Sequence, residues 1–179
     1  MFTGIIEEVG IIRNILTNLD GLEMEIEASL VLSDLKVNDS ISCSGVCLTV
    51  TKLETESFKV QVVQETLNKT NAKNWVPGYS INLERALLPT SRMGGHIVQG
   101  HIDTVVKIKD MTFDDKSAVW RFELKNNIKK YIVKKGSICL DGISLTIAEK
   151  TETDFSVALI PHTLEVTSWS NKKINDTIN

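Results

Sequence analysis

The sequence predicts a mainly β protein built from two homologous halves, each a small antiparallel barrel. Two observations support this fold class. A stretch near the start, FTGIIEEVG (2–10), returns in altered form as VQGHIDTVV (98–106), and short apolar runs of strand length recur between turn residues in both halves. A barrel is favoured because it removes the exposed edges that a flat sheet of this size would leave.

The two halves align over most of the chain. Near the N terminus a shift of 96 residues aligns the copies, and downstream the shift becomes 97, which implies one inserted residue. At the larger shift SISCSGVCLTV (40–50) lies over SICLDGISLTI (137–147), and ETLNKT (65–70) lies over HTLEVT (162–167). INDTIN (174–179) lies under PGYSIN (77–82), but the first copy continues with LER, so the second is expected to stop partway through its last strand. The shared order of motifs indicates duplication.

Strands and tight turns recur at matching positions of the two halves. The segments SFKVQVV (57–63) and DFSVALI (154–160) alternate or run apolar for the length of a strand. Between two β-rich runs in each half lie Ser44-Gly45 and Asp141-Gly142. These pairs predict tight turns, because glycine adopts positive φ without steric cost.

Short helices and a linker complete the predicted elements. Two brief helices are expected in each half. In the second half they are NNIKKYIVKKG (126–136), where Ile128, Tyr131 and Ile132 have helical spacing, and a segment that starts near Thr163, just after Pro161. LLPTSRMGG (87–95) contains a proline and a glycine pair and predicts a linker. We therefore predict domains at 1–95 and 96–179.

Composition argues against several classes of protein. The 179 residues are 42% hydrophobic and 24% charged with a net charge of -3 and scattered lysines, which disfavours nucleic acid as a partner. The N terminus lacks the pattern of a secretory signal, and no apolar run reaches the length of a membrane span, so we expect a cytoplasmic protein without a membrane partner. Three cysteines and three histidines lack paired zinc-ligand spacing, so neither a disulfide framework nor a metal is expected.

Five motifs together carry a resemblance to a known family. MFTGIIEEVG, SGVCLTV, GGHIVQGHID, DGISLTI and LIPHTLEVTSW occur in this order across essentially the whole chain, which resembles the α-type riboflavin synthases. The resemblance implies two homologous six-stranded Greek-key β-barrels with short helices, assembled as a homotrimer. The family completes its last strand with a nearby acidic residue and adds a C-terminal helix for association, and this chain ends before these features.

The resemblance also implies an activity. Family members convert two molecules of 6,7-dimethyl-8-ribityllumazine into riboflavin and a ribitylaminopyrimidine by moving a four-carbon unit, and they need no added cofactor. The small-molecule substrate is thus the expected partner, with lumazine synthase as a further candidate. Duplication fits this reaction, because two copies of one molecule must be held together in two similar pockets.

Each half is expected to contribute a pocket at the positions that match the family. In the first copy these residues are Gly4, Ile5, Ile6, Val46, Cys47, Leu48, Thr49, Gln61, Val62, Val63, Gln64, Glu65 and Thr66. In the second copy they are Gly100, His101, Ile102, Lys135, Ser144, Leu145, Thr146, Ala158, Leu159, Ile160, Pro161, His162 and Thr163.

The two copies differ where polar chemistry is expected, since Ile5 aligns with His101 and Cys47 with Ser144. The resemblance implies His101 as proton shuttle, Ser144 as hydrogen-bonding or attack-assisting group, and Cys47 as nucleophile or relay. The alternatives are a histidine satisfied in a strand, a serine bonded to its own backbone and a small buried cysteine.

Two other functions stay open. One is a non-catalytic lumazine- or flavin-binding protein of the same fold, which would have no need of His101 together with Ser144. The other is a barrel that binds nucleic acid or a protein, against which the acidic balance and 6% aromatic content count.

Overall fold

The first half of the chain folds into a closed six-stranded barrel. The computed structural model describes residues 1–114 and 117–179. The strands of the first half are β1 (Glu8–Asn18), β2 (Gly21–Glu27), β3 (Ser40–Cys43), β4 (Val46–Leu53), β5 (Ser57–Val63) and β6 (Ser80–Arg85). They follow one another around the barrel as β1-β2-β5-β4-β3-β6, with all pairs antiparallel. The helix α1 (Gln64–Lys69) follows β5 directly.

The second half repeats this topology as a six-stranded sheet. Its strands are β7 (Val106–Asp114), β8 (Ser117–Glu123), β9 (Ser137–Leu140), β10 (Ile143–Lys150), β11 (Asp154–Leu159) and β12 (Thr177–Ile178), and α2 (Pro161–Glu165) follows β11. The strand order is β12-β7-β8-β11-β10-β9. The turn after β9 bonds to the end of β12 through the Asp141 N–H and the Asn179 carbonyl, at 3.1 Å. The mainly β fold with two matching halves is confirmed.

The helix predicted at 126–136 is wrong, because this segment forms turns. Backbone hydrogen bonds within this segment join residues three apart, such as the bond from the Tyr131 N–H to the Ile128 carbonyl at 2.9 Å. The carbonyls of Lys129 and Ile132 instead accept from Lys150 Nζ, each at 2.8 Å. Ile128 and Ile132 are buried, so the apolar spacing reflects two anchors on the second core. The short helices that follow β5 and β11 are confirmed.

The tight turns predicted at Ser44-Gly45 and Asp141-Gly142 are confirmed and meet at the centre of the molecule. All four residues have positive φ, between +44° and +83°. A Cβ added to Gly45 would lie 2.8 Å from the Gly142 nitrogen, and one added to Gly142 would lie 2.9 Å from the Gly45 nitrogen. Only glycine therefore allows the two turns to pack back to back.

Two asparagines exchange hydrogen bonds between the halves with approximate twofold symmetry. Asn82 Nδ2 donates to the Asp141 carbonyl at 2.9 Å, and Asn179 Nδ2 donates to the Ser44 carbonyl at 3.1 Å. The two donors are equivalent positions of the repeat. The halves are thus joined by a buried polar interface that the duplication made symmetric.

The predicted linker at 87–95 forms turns without a regular strand or helix. The domain boundaries at 1–95 and 96–179 stay a prediction. No helix within the described ranges is both long and apolar enough to cross a membrane.

Candidate active site

The segments that precede each barrel cross over and pack against the opposite barrel. Phe2 pairs with Val98 through two backbone hydrogen bonds of 2.8 and 3.0 Å. Beyond this crossing Ile6 packs against the core of the second barrel, and Ile102 packs against the core of the first. Each barrel is therefore bordered by the leading segment of the other copy.

This crossing corrects the predicted grouping of the site residues. Gly4 was expected beside the strands of its own copy, but its carbonyl accepts from the Ser144 N–H of the second barrel at 2.7 Å. In the equivalent position the Gly100 carbonyl accepts from the Cys47 N–H of the first barrel at 3.0 Å. The reason is the strand-like pairing of the two leading segments, which directs each one past its own barrel.

The two equivalent surfaces beside the crossed segments, called grooves below, are the candidate sites. The first site comprises the outer faces of β4 and β5 and the start of α1, bordered by residues 100–102. The second site comprises the outer faces of β10 and β11 and the start of α2, bordered by residues 4–6. Val50 and Ile147 belong to the two barrel cores, so the preceding residues Thr49 and Thr146, which are exposed, face outward on β4 and β10.

Most predicted site residues have side chains that are at least partly exposed. The following are exposed: Ile5, Thr49, Gln61, Val63, Gln64, Glu65, His101, Lys135, Thr146, Ala158, Ile160, Pro161 and His162. The following are half-buried: Ile6, Cys47, Thr66, Ile102, Ser144, Leu145 and Thr163. Among them Lys135 lies in the turn before β9, with a φ of +67° and its N–H bonded to the Ile147 carbonyl.

Four predicted side chains point away from the grooves. Val46, Leu48, Val62 and Leu159 are at most 5% exposed and belong to the two barrel cores. Because successive side chains of a strand face opposite sides, a continuous range along a strand always includes residues that face the interior. These four positions offer a ligand only their backbone.

The predicted polar residues do not all meet in one place. Ser144 lies in the second site, whereas His101 follows Gly100 and borders the first site beside Cys47. The hydrogen-bonding partner of Ser144 is instead His96, whose Nδ1 lies 2.7 Å from Ser144 Oγ. Burial lowers the pKa of His96. Sequence comparison between the copies missed this histidine, because His96 lies before the first aligned pair of the repeat, Gly4 and Gly100.

Glu84 is a second residue that the sequence did not single out. It is 5% exposed, and its carboxylate accepts from the Thr3 N–H at 2.6 Å, the Thr3 hydroxyl at 2.8 Å and the Gly4 N–H at 2.9 Å. Burial raises the pKa of Glu84, and these hydrogen bonds oppose the rise. The carboxylate of the first barrel thus fixes the segment that borders the second site.

Replacing Glu84 with glutamine is expected to reduce the free energy of unfolding by about 1.5–3 kcal/mol. Glutamine has one acceptor oxygen where glutamate has two. Its NH2 group would therefore face a backbone N–H, and neither of these two donors can accept a hydrogen bond from the other. Urea unfolding of both proteins at one pH measures the change. Glu65→Gln serves as the control because Glu65 is an exposed helix residue, and an equally small effect at both positions would contradict the proposed anchoring role.

Two cavities adjoin the grooves. One of 570 Å³ is lined by residues that include His101, Tyr131 and Ser137, and one of 770 Å³ by residues that include Ile5 and Glu84. Ile5 and His101 are equivalent in the repeat, so the two cavities are related by the same approximate symmetry.

Comparisons with known proteins agree with this architecture. The lumazine binding domain family matches residues 3–86 and again residues 99–179. The chain is 41% identical to riboflavin synthase of Actinobacillus pleuropneumoniae over 179 residues, which is all of this chain and 83% of that protein. It is 40% identical to riboflavin synthase of Schizosaccharomyces pombe over 181 residues, covering all of this chain and 87% of that protein.

Solved structures support the fold. LumP complexed with riboflavin superimposes with a TM-score of 0.92, and LumP complexed with 6,7-dimethyl-8-(1'-D-ribityl) lumazine with 0.90, at 20% identity in both cases. Each match covers all of this chain and 97% of the LumP chain. The chain contains two lumazine binding domains and is 41% and 40% identical over its whole length to the two riboflavin synthases above, so it belongs to the riboflavin synthase family.

Proposed function

We propose that this chain is a transferase that converts two molecules of 6,7-dimethyl-8-ribityllumazine into riboflavin and 5-amino-6-(D-ribitylamino)uracil, the last step of riboflavin biosynthesis. The observation that carries the proposal is a pair of similar grooves with unequal polar residues. Cys47 of the first groove occupies the position of Ser144 in the second, and His101 occupies the position of Ile5. Such a combination suits two molecules of one substrate that take different roles in the reaction.

The structure supports a mechanism based on orientation. Holding two reactants in attack geometry supplies about 7–11 kcal/mol of the barrier. The methyl group on C7 of the lumazine is acidic because its anion is delocalised over an electron-poor ring. The chain's own residues then have to bind the rings and move protons, which hydroxyl and imidazole groups such as Thr49, Thr146 and His101 can do.

A lumazine- or flavin-binding protein without activity is the second candidate. The superposition on LumP at 20% identity favours this function only through the fold. The presence of both His101 and Ser144 favours the enzyme, since binding alone does not need them. Incubation of the chain with 6,7-dimethyl-8-ribityllumazine, with no cofactor added, separates the candidates. Formation of riboflavin above the uncatalysed background supports the enzyme, whereas tight binding without product overturns it.

Replacing His101 with alanine is expected to lower turnover by about 10²–10⁴-fold, the range for loss of a positioned proton-transfer group. The dissociation constant for lumazine should change little, because His101 is exposed at the edge of the groove. Riboflavin formation and fluorescence titration with lumazine measure the two quantities, and Lys107→Ala on the exposed face of β7 is the control. A loss confined to binding would contradict the role in proton transfer.

Assembly and location extend the proposal. We infer a homotrimer in the cytoplasm, in which the first barrel of one subunit faces the second barrel of a neighbour, with lumazine synthase as a further partner. Exposed apolar residues beside the two grooves support a contact there, since Val63 and Ile160 occupy equivalent positions of the repeat and are 49% and 59% exposed. Light scattering of the purified chain measures the mass, and a monomer that turns over lumazine at full rate would overturn the shared site.

A further inference from the structure

His96 and Ser144 form a hydrogen-bonded pair at the second site. His96 Nδ1 lies 2.7 Å from Ser144 Oγ, and the His96 backbone N–H donates to the Thr3 carbonyl at 3.1 Å. Ser144 also donates its own N–H to the Gly4 carbonyl at 2.7 Å. The serine is therefore held from two sides, by the leading segment of the first copy and by the leading segment of the second.

The approach of His96 to Ser144 depends on the glycine before it. A Cβ added to Gly95 would lie 2.1 Å from the Thr3 carbonyl oxygen, 2.7 Å from Ser144 Cβ and 2.8 Å from Ser144 Oγ. No side chain fits in this space. The chain thus passes close enough to Ser144 for the next residue, His96, to reach the hydroxyl.

We propose that His96 is a positioning residue for Ser144, accepting the hydroxyl proton in a hydrogen bond so that the lone pairs of Ser144 Oγ face the bound lumazine. This inference rests on the proposed function. It assigns the second site a histidine other than His101, which lies beside the first site. It also adds to the inequality of the two sites, since the position of Ser144 in the second copy is occupied by Cys47 in the first.

Two properties of the pair are compatible with this direction of the hydrogen bond. The Nδ1 to Oγ distance of 2.7 Å is that of a short hydrogen bond, in which the tautomer of His96 decides which atom donates. Burial lowers the pKa of His96, which favours the neutral imidazole, and a neutral imidazole has one ring nitrogen that can accept. A nucleophile or base held by a histidine is a recurrent arrangement in enzymes.

The test uses a cycle of variants at the two positions. His96→Ala is expected to lower kcat by about 10²-fold, while the dissociation constant for lumazine stays within about twofold. Because residues that act as one unit are not additive, His96→Ala combined with Ser144→Ala should be within about threefold of Ser144→Ala alone. His96→Asn, whose amide oxygen can occupy the place of Nδ1, should recover part of the rate. Gln99→Ala, an exposed neighbour on the same segment, is the control.

The possible results are distinct. Losses that multiply in the double variant, or His96→Ala turnover close to that of the unsubstituted chain, overturn the inference. Absence of riboflavin from the unsubstituted chain overturns the proposed function, and a second measurement then decides the inference. The ring ¹⁵N resonances of His96, assigned by comparison with His96→Asn, should shift in Ser144→Ala if Nδ1 accepts the hydroxyl. Unchanged ring resonances contradict the pair, and a shift supports it without reference to activity.

Discussion

Replacing Asp141 with alanine is expected to lower the free energy of unfolding by about 3–5 kcal/mol, because it leaves a buried ammonium without its carboxylate. Asp141 Oδ2 lies 3.3 Å from Lys172 Nζ, and the two side chains are 1% and 7% exposed. Lys172 Nζ also lies 2.6 Å from the Tyr79 hydroxyl of the first half. Burial acts to lower the pKa of Lys172, but Asp141 and Tyr79 outweigh it and the pKa is raised. The ammonium therefore stays charged inside the interface between the halves.

The Asp141 carboxylate has further partners, and a second variant separates their contribution from that of its charge. It accepts from the Asn179 N–H at 2.9 Å and from Trp169 Nε1 at 3.3 Å. Asp141→Asn keeps an acceptor and tolerates the positive φ of +47° at this turn, so its cost reports mainly the lost charge. Urea unfolding of both variants at pH 7 measures these costs.

A surface ion pair provides the control. Glu152 and Lys129 form a salt bridge in which Glu152 is 89% exposed, so Glu152→Ala should change stability little. If Asp141→Ala costs no more than Glu152→Ala, the buried pair does not hold the halves together. If Asp141→Ala is costly and Asp141→Asn is not, the hydrogen bonds rather than the charge stabilise the interface.

Local features of the fold were predictable because they depend on neighbouring residues. The turn at Ser44-Gly45 needs two residues with positive φ, and the strand at 57–63 needs an apolar pattern of strand length. Both signals occur twice in the repeat, which strengthens each prediction. The helix prediction at 126–136 is wrong because the spacing of its apolar residues is equally typical of turns with two buried side chains. In addition, Lys150, which is distant in sequence, donates hydrogen bonds to two backbone carbonyls of this segment.

The candidate site was harder to predict because its parts come from distant segments. The residue types at Cys47, Ser144 and His101 follow from the motifs, but their grouping depends on the pairing of Phe2 with Val98. Pairing between single residues so far apart leaves no periodic signal. His96 was missed for a related reason, since comparison of the copies covers only the aligned positions and His96 precedes the first of them.

Replacing Gly100 with alanine is expected to lower turnover by at least about 10²-fold, because it displaces the segment that carries His101. The added Cβ would lie 2.5 Å from Cys47 Cβ and 3.0 Å from the Cys47 nitrogen. The φ of Gly100 is +81°, which also disfavours alanine. The segment must then move away from β4, and the bond between the Gly100 carbonyl and the Cys47 N–H is lost. Riboflavin formation and urea unfolding are measured on the same preparation.

Gly78→Ala separates crowding from backbone strain. Gly78 has a φ of +87°, close to that of Gly100, but a Cβ there would have no atom within 4 Å. Its alanine variant should therefore lose about 1–2 kcal/mol of stability, the cost of the left-handed conformation, and keep its activity. Gly4→Ala is the counterpart at the second site, where the added Cβ would lie 2.7 Å from Ser144 Cβ. If both Gly4→Ala and Gly100→Ala abolish turnover while Gly78→Ala does not, each crossed segment is required at the barrel of the other copy. Full activity in Gly100→Ala would show that the first groove does not need the segment that borders it.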